Sequence, residues 1–190
     1  WLATFYGSTG DRNRVVDLFR QMTRRFPAKP LGWLQLASAT ARAGNTNAVE
    51  QILQDGLSKA QPPTALRQEL VRIQLARLQA AADPGAQQEA RRQAMALLRQ
   101  VAEEIPGDID TLYALGDLLV KDEQLEEAIR TYEKIERIQP GDVQVKSRLA
   151  KAFLAMDDQA KAIAVLETLA QSRKSPGDVH YYLAELYLQA

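Results

Sequence analysis

Residues 109–142 read IDTLYALGDLLVKDEQLEEAIRTYEKIERIQPGD. Apolar side chains recur at helical spacing in both halves of this stretch, through Leu112, Leu115 and Leu119 and then through Leu125, Ala128, Ile129, Tyr132 and Ile135. That is the pattern of two amphipathic helices. A polar run, Lys121 to Gln124, divides them, and Pro140-Gly141-Asp142 closes the stretch. Proline cannot continue a helix, glycine tolerates a left-handed turn, and aspartate caps whatever helix follows.

The stretch repeats. Pro-Gly-Asp also stands at 106–108 and 176–178, and Leu115-Gly116 is followed 34 residues later by Leu149-Ala150 and again by Leu183-Ala184. Upstream, Leu2-Ala3 and Leu36-Ala37 are separated by the same 34 residues. With 109 as offset 1, Leu112, Leu115, Gly116, Ala128, Tyr132, Ile135 and Pro140 occupy offsets 4, 7, 8, 20, 24, 27 and 32. In the unit starting at 30, Trp33, Leu36, Ala37 and Gly44 occupy offsets 4, 7, 8 and 15. Small residues at offset 8 (Ala37, Gly116, Ala150, Ala184), facing short ones at offset 20 (Val15, Val49, Ala94, Ala128, Ala162), predict a close helix crossing there. Bulky Leu36, Leu115, Leu149, Phe19, Tyr132 and Leu166 are expected to fill the flanks.

This register resembles that of the tetratricopeptide repeat (TPR) family, whose pattern places a tryptophan, a Leu-Gly pair and a tyrosine on the first helix, then an alanine and an aromatic on the second, then proline. The resemblance implies an all-α, right-handed superhelical solenoid of stacked antiparallel helix hairpins, since one hairpin cannot bury both its faces. The chain divides into a partial repeat at 1–29, repeats at 30–63, 64–108, 109–142 and 143–176, and a lone first helix at 177–190, all in a single array. Leu53 stands at offset 24 where an aromatic is usual, Gly56 stands at offset 27, and Lys174 takes a proline position. Repeat 64–108 is 11 residues longer than its neighbours, which predicts a lengthened hairpin with Asp83-Pro84-Gly85 at its tip and alanines from Ala80 to Ala94 letting the arms approach. It reads either as a contact feature or as a tolerated insertion.

Composition narrows the chemistry. Of 190 residues, 24 are basic and 24 acidic, so the net charge is zero and no general affinity for polyanions is expected. There is no cysteine and one histidine, which removes thiol nucleophiles, disulfides and paired imidazole ligands. Cysteine-free chains suit reducing and oxidising compartments alike. No apolar run is long enough for a membrane span. The chain opens Trp1-Leu2-Ala3-Thr4 without an initiator methionine or signal-peptide zones, and so reads as a cut inside a longer polypeptide.

No residue pattern points to catalysis, to a metal or to a cofactor. Gly7-Ser8-Thr9-Gly10-Asp11 lacks a phosphate-loop lysine and falls at an inter-helix turn. His180 is expected to pack or cap. Asp122-Glu123, Glu126-Glu127 and Asp157-Asp158 suit the positive ends of helices. Charge is nonetheless segregated: residues 1–29 carry +4, 109–142 carry −5 and 143–176 carry +3. Arg12, Arg14, Arg20, Arg24 and Arg25 read as a solvated helix face, without the interleaved aromatics of a nucleic-acid surface.

The resemblance implies a non-enzymatic interaction scaffold that takes a protein or peptide segment in a groove lined by first helices. By register the groove residues are Leu34, Arg42, Gln68, Arg72, Tyr113, Asp117, Lys121, Ser147, Lys151, Tyr181 and Glu185. Tyr113 and Tyr181 share an offset and are candidate aromatic anchors. Because Tyr113 and Asp117 stand where a carboxylate-clamping subclass would have lysine and asparagine, recognition of a chaperone tail is not expected. Offset 9 reads Arg72, Asp117, Lys151, Glu185, alternating in sign, which predicts a ladder of ion pairs or a partner-contacting row. Two further readings stand beside the scaffold. One is self-assembly through an open C-terminal end exposing Leu183, Leu186 and Tyr187. The other is a regulatory segment of a larger enzyme or of an envelope or secretion assembly protein.

Overall fold

The computed structural model describes residues 11–171 and 179–189. Among them are ten α-helices, one short 3-10 turn (Thr46–Ala48) and no strand. The helices are α1 (Arg12–Arg25), α2 (Pro30–Arg42), α3 (Val49–Leu57), α4 (Thr64–Ala80), α5 (Pro84–Glu104), α6 (Ile109–Lys121), α7 (Leu125–Ile138), α8 (Val143–Ala155), α9 (Gln159–Ala170) and α10 (Val179–Gln189). The chain divides into two compact units at Glu104/Ile105.

In the first unit, α1 packs on α2, α2 on α3, and α4 on both α2 and α3, while α4 and α5 form the most extensive pairing. Val16, Leu36 and Ala39 bury one seam. Trp33, Ala37, Val49, Leu53, Ala60, Leu66 and Leu70 bury the next, so the α2/α3 hairpin shares a core with α4. The Trp33 indole donates to the Pro27 carbonyl oxygen at 2.8 Å, and Lys59 lies over its ring at 5.2 Å. Gly56 explains the departure of this repeat from the usual pattern. A Cβ there would stand 2.8 Å from Trp33 Cγ and 3.1 Å from Leu66 Cδ1, so glycine is the space into which tryptophan fits.

The long hairpin has arms of 17 and 21 residues. Its tip differs from the expected one. Pro84 and Gly85 are the first residues of α5, and Asp83 caps it, its carboxylate accepting from the Ala86 N–H at 2.8 Å. Proline fits a first helical turn because its missing N–H has no partner there anyway. Ala90 and Ala94 are buried, but Ala80, Ala82 and Ala86 are exposed, so close approach is confined to the base of the arms.

In the second unit, α6 packs on α7, α7 on α8, α8 on α9 and α9 on α10. Leu112, Leu115, Leu119, Ala128, Tyr132, Ile135, Val145 and Leu149 are buried. The small residue at offset 8 makes room for a neighbour other than the short one opposite. A Cβ on Gly116 would lie 2.8 Å from Tyr132 Cζ and 3.0 Å from Cδ1, so it is the tyrosine ring that requires glycine.

The turns also share a stride. Gly44, Glu123 and Asp157, each at offset 15, have φ of +90°, +59° and +59°. Of the Pro-Gly-Asp sites, Gly141 takes the left-handed conformation (φ +87°) and Gly107 does not. Asp142 caps α8 by accepting from Gln144 N–H at 2.7 Å, whereas Asp108 bonds the Thr111 hydroxyl instead of the backbone. Asp158 caps α9. The site at 176–178, like Gly7–Gly10, Arg173 and Lys174, lies outside the described residues.

At the C-terminus the expected exposure of Leu183 and Leu186 is corrected, while Tyr187 is exposed. Leu183 and Leu186 are buried with Val179 against Ala150, Leu166 and Leu169, because α10 turns its leucine stripe onto α8 and α9. The exposed apolar groups are Tyr181 (64%), Tyr187 (54%) and Leu188 (88%). His180 is exposed rather than packed.

Candidate binding surface

Arg148 of α8 reaches Asp117 of α6 with two nitrogens, Nε at 2.7 Å to Oδ1 and Nη2 at 3.1 Å to Oδ2. The Tyr132 hydroxyl donates to the same carboxylate at 2.7 Å. The guanidinium also lies over the Tyr113 ring, 4.6 Å from its centroid. Arginine suits this place because its planar fork can pair with a carboxylate and stack on an aromatic at once. Burial would raise the Asp117 carboxyl, but the bonds from Arg148 and Tyr132 and the Arg148 charge outweigh it and hold the group below the usual carboxylate range. The bond to Asp117 raises Arg148 further. Burial, then Asp142 nearby, pushes the Tyr113 hydroxyl up to about 12. Burial and the Asp117 bond raise Tyr132 as well.

Asp117, Tyr132 and Arg148 belong to the wall of an open depression of about 580 Å³, lined also by Val120 and Lys121 of α6 and by Val143, Gln144, Ser147 and Lys151 of α8. Four groove residues inferred from sequence thus come together here: Asp117, Lys121, Ser147 and Lys151. Tyr113 stands beside it with its ring face taken by Arg148. Tyr181 and Glu185 lie on α10, exposed.

The first unit holds a second depression of about 510 Å³, with Arg42 of α2, Glu50 of α3, and Glu69, Arg72, Ile73 and Arg77 of α4 among its lining. It gathers Arg42 and Arg72. Gln68 is exposed on α4 outside this lining, and Leu34 packs against the hydrophobic core. Glu50 is held by Gln74 Nε2 at 2.8 Å and Arg77 Nη1 at 2.6 Å.

The expected ladder at offset 9 does not form in the second unit. Asp117 takes its cation from Arg148, three positions before Lys151, and Arg72 pairs with Glu69 on its own helix at 2.5 Å. A neighbour with a planar fork outcompetes a flexible lysine for Asp117, and Arg72 finds a glutamate one turn away on its own helix. Arg148 is the residue of this depression that sequence reasoning missed. It sits at offset 6, held by Gln35 and Ala114 in two other units, so the repeat gives no signal for it. The arginines of α1 are exposed, Arg14 pairing with Asp11 and Arg20 with Asp17. Among the described residues there is no cluster of three or more potential metal ligands, and no helix long and apolar enough to cross a membrane.

Tetratricopeptide repeat models match residues 86–152 and 147–173. Residues 86–173 of the chain thus carry tetratricopeptide repeats. No curated protein matches it significantly by sequence. Among solved structures it is similar to MamA AMB-1 (17% identity, TM-score 0.61, covering 94% of this chain and 92% of that one). It is also similar to TTC0263, a thermophilic TPR protein in Thermus thermophilus (18%, 0.53, 98% and 96%). A third is YrrB, described as a TPR protein with an unusual peptide-binding site (13%, 0.59, 87% and 79%). At these identities the likeness is one of fold. The tetratricopeptide repeats support a protein-interaction scaffold.

Proposed function

We propose that this chain is a non-enzymatic adaptor that receives a peptide segment of a partner protein in the depression between α6 and α8. The carrying observation is Arg148, fixed by Asp117 and Tyr113 beside two exposed lysines, Lys121 and Lys151. A side chain already ordered loses little entropy on binding, which favours it as a contact point. YrrB, whose fold is similar, is described as having a peptide-binding site, and this supports the same use here. The reading keeps the repeat bounds 30–63, 64–108, 109–142 and 143–176.

The test is a display selection of peptides on the intact chain, followed by amide hydrogen exchange with the selected peptide. Added protection at 117–121 and 144–151 is expected. Protection confined to other helices would reject the site.

A second reading, self-assembly, is favoured by the exposed Tyr181, Tyr187 and Leu188 on α10. It expects concentration-dependent dimers in sedimentation that Leu188→Glu abolishes. Leu186→Glu cannot serve, because Leu186 is part of the core.

A further inference from the structure

We infer that the depression between α6 and α8 selects segments rich in aspartate and glutamate, reading their side-chain carboxylates; this rests on the peptide-binding reading above. The depression presents three cations, Lys121, Arg148 and Lys151, against one acid, Asp117. Asp117 accepts three hydrogen bonds, two of them from Arg148, so these two charges offset each other within the wall and the net positive charge of the depression comes from Lys121 and Lys151. Lys151 is exposed and makes no ion pair or hydrogen bond with any of the described residues. Gln144 lines the same depression beside these cations.

The local sign is set against the surrounding sequence. Residues 109–142 carry −5, yet the acids of α7, among them Glu126, Glu133 and Glu136, do not line the depression. A carboxylate-bearing chain is therefore repelled by most of this segment and attracted at one place, which fixes its register as well as its affinity. A lysine-rich segment would meet the reverse.

The first unit offers a built-in control. Arg12 is exposed on α1 and lies outside both depressions, so Arg12→Glu changes the net charge of the protein as Lys151→Glu does, at a different place. The experiment is fluorescence anisotropy on the intact chain with three labelled peptides of equal length, alternating serine with glutamate, glutamine or lysine. The glutamate peptide is expected to bind, with affinity that falls as salt rises. Lys151→Glu should weaken it by about tenfold or more, and Arg12→Glu by less than about twofold. Circular dichroism of each variant checks that the fold is kept.

Equal loss in both variants would mean a general field, and would overturn the inference. So would glutamine or lysine peptides binding as tightly as glutamate. If those peptides bind and protect α6 and α8 from exchange, the adaptor reading survives while the acidic preference falls. If no peptide, selected or designed, protects these helices, both fall.

Discussion

In the hairpin α2/α3 the ring stands on the first helix, as Trp33, and the glycine on the second, as Gly56. In α6/α7 the ring stands on the second helix, as Tyr132, and the glycine on the first, as Gly116. Each hairpin carries one large aromatic at the crossing and one residue without a Cβ opposite it. The remaining pair is intermediate in both, Ala37 with Leu53 in the first and Leu112 with Ile135 in the second, all buried. In these two hairpins a large ring is thus matched by a glycine facing it, whichever helix carries each. Interiors near crystal density force such compensation, since neither a void nor an extra methylene is free.

The exchange also has a chemical consequence. Tryptophan on the first helix spends its one donor on the Pro27 carbonyl. Tyrosine on the second helix carries its hydroxyl to Asp117 and so joins the wall of the depression. Only the second arrangement ties the crossing to the candidate site.

The largest expected effect comes from deleting the rings. Trp33→Ala and Tyr132→Ala should each cost about 3–5 kcal/mol in chemical denaturation, by loss of burial plus the cavity left. A cost below about 1 kcal/mol at either site would break the comparison, because the ring would not then be filling the space that glycine leaves.

A smaller effect sharpens it. Gly116→Ala should destabilise by about 1–3 kcal/mol through overpacking against Tyr132, even though alanine is the better helix former by about 1 kcal/mol. Adding Tyr132→Leu recreates the Ala37–Leu53 pair of the other hairpin. The double variant should therefore be more stable than the sum of the single changes, by a coupling of about 1 kcal/mol or more. Strict additivity would show that Gly116 and Tyr132 do not share the space.

Much of this is legible in the sequence because a fixed stride exposes position, and position dictates burial. The 34-residue interval locates the helices and most of the core, including Leu149 and Tyr132. Leu53 and Gly56 look like departures because a register compares each offset separately, whereas packing balances several at once. Arg148 is invisible for a related reason. Its partnership with Asp117 spans 31 residues, not a multiple of the stride, and rests on a guanidinium at an offset where the units beginning at 30 and 109 have Gln35 and Ala114. Likewise the leucines of α10 look uncovered in the sequence because a repeat points to its own second helix as their cover, while α9 already supplies it.

The wall of the depression gives an electrostatic prediction. The folded Asp117 carboxyl is held below its unfolded value of about 3.9, so its contribution is present above that pH and is lost as pH falls through the folded value. With its side chain 43% exposed, the contribution is screened, and Asp117→Asn should cost about 0.5–1 kcal/mol at neutral pH. That difference from the parent protein should shrink as pH falls below the unfolded value of about 3.9 in urea titrations. The corresponding acid of the first unit, Glu50, offers the comparison: Glu50→Gln should leave the acid dependence assigned to Asp117 intact. A gap that persists at low pH would mean that the residue acts by shape alone.

The smallest effects concern the turns, where the two units differ by one atom group. Gly44 adopts φ +90° at offset 15 without penalty, but Glu123 adopts +59° with a Cβ, a conformation costing an L-residue about 1–2 kcal/mol. Glycine there would relieve that strain and give back part of it through a freer unfolded chain, which costs about 0.4–1 kcal/mol. The balance makes Glu123→Gly stabilising by about 0.5 kcal/mol. Asp157→Gly, at the same φ, should gain less, since a short aspartate tolerates the left-handed region better than glutamate does. The reverse change in the first unit, Gly44→Glu, has nothing within 4 Å to clash with, so any cost of about 1 kcal/mol it shows must come from the backbone alone. If all three changes prove neutral in thermal melts, the left-handed residue is a consequence of the helices on either side, and glycine at offset 15 carries no stabilising role.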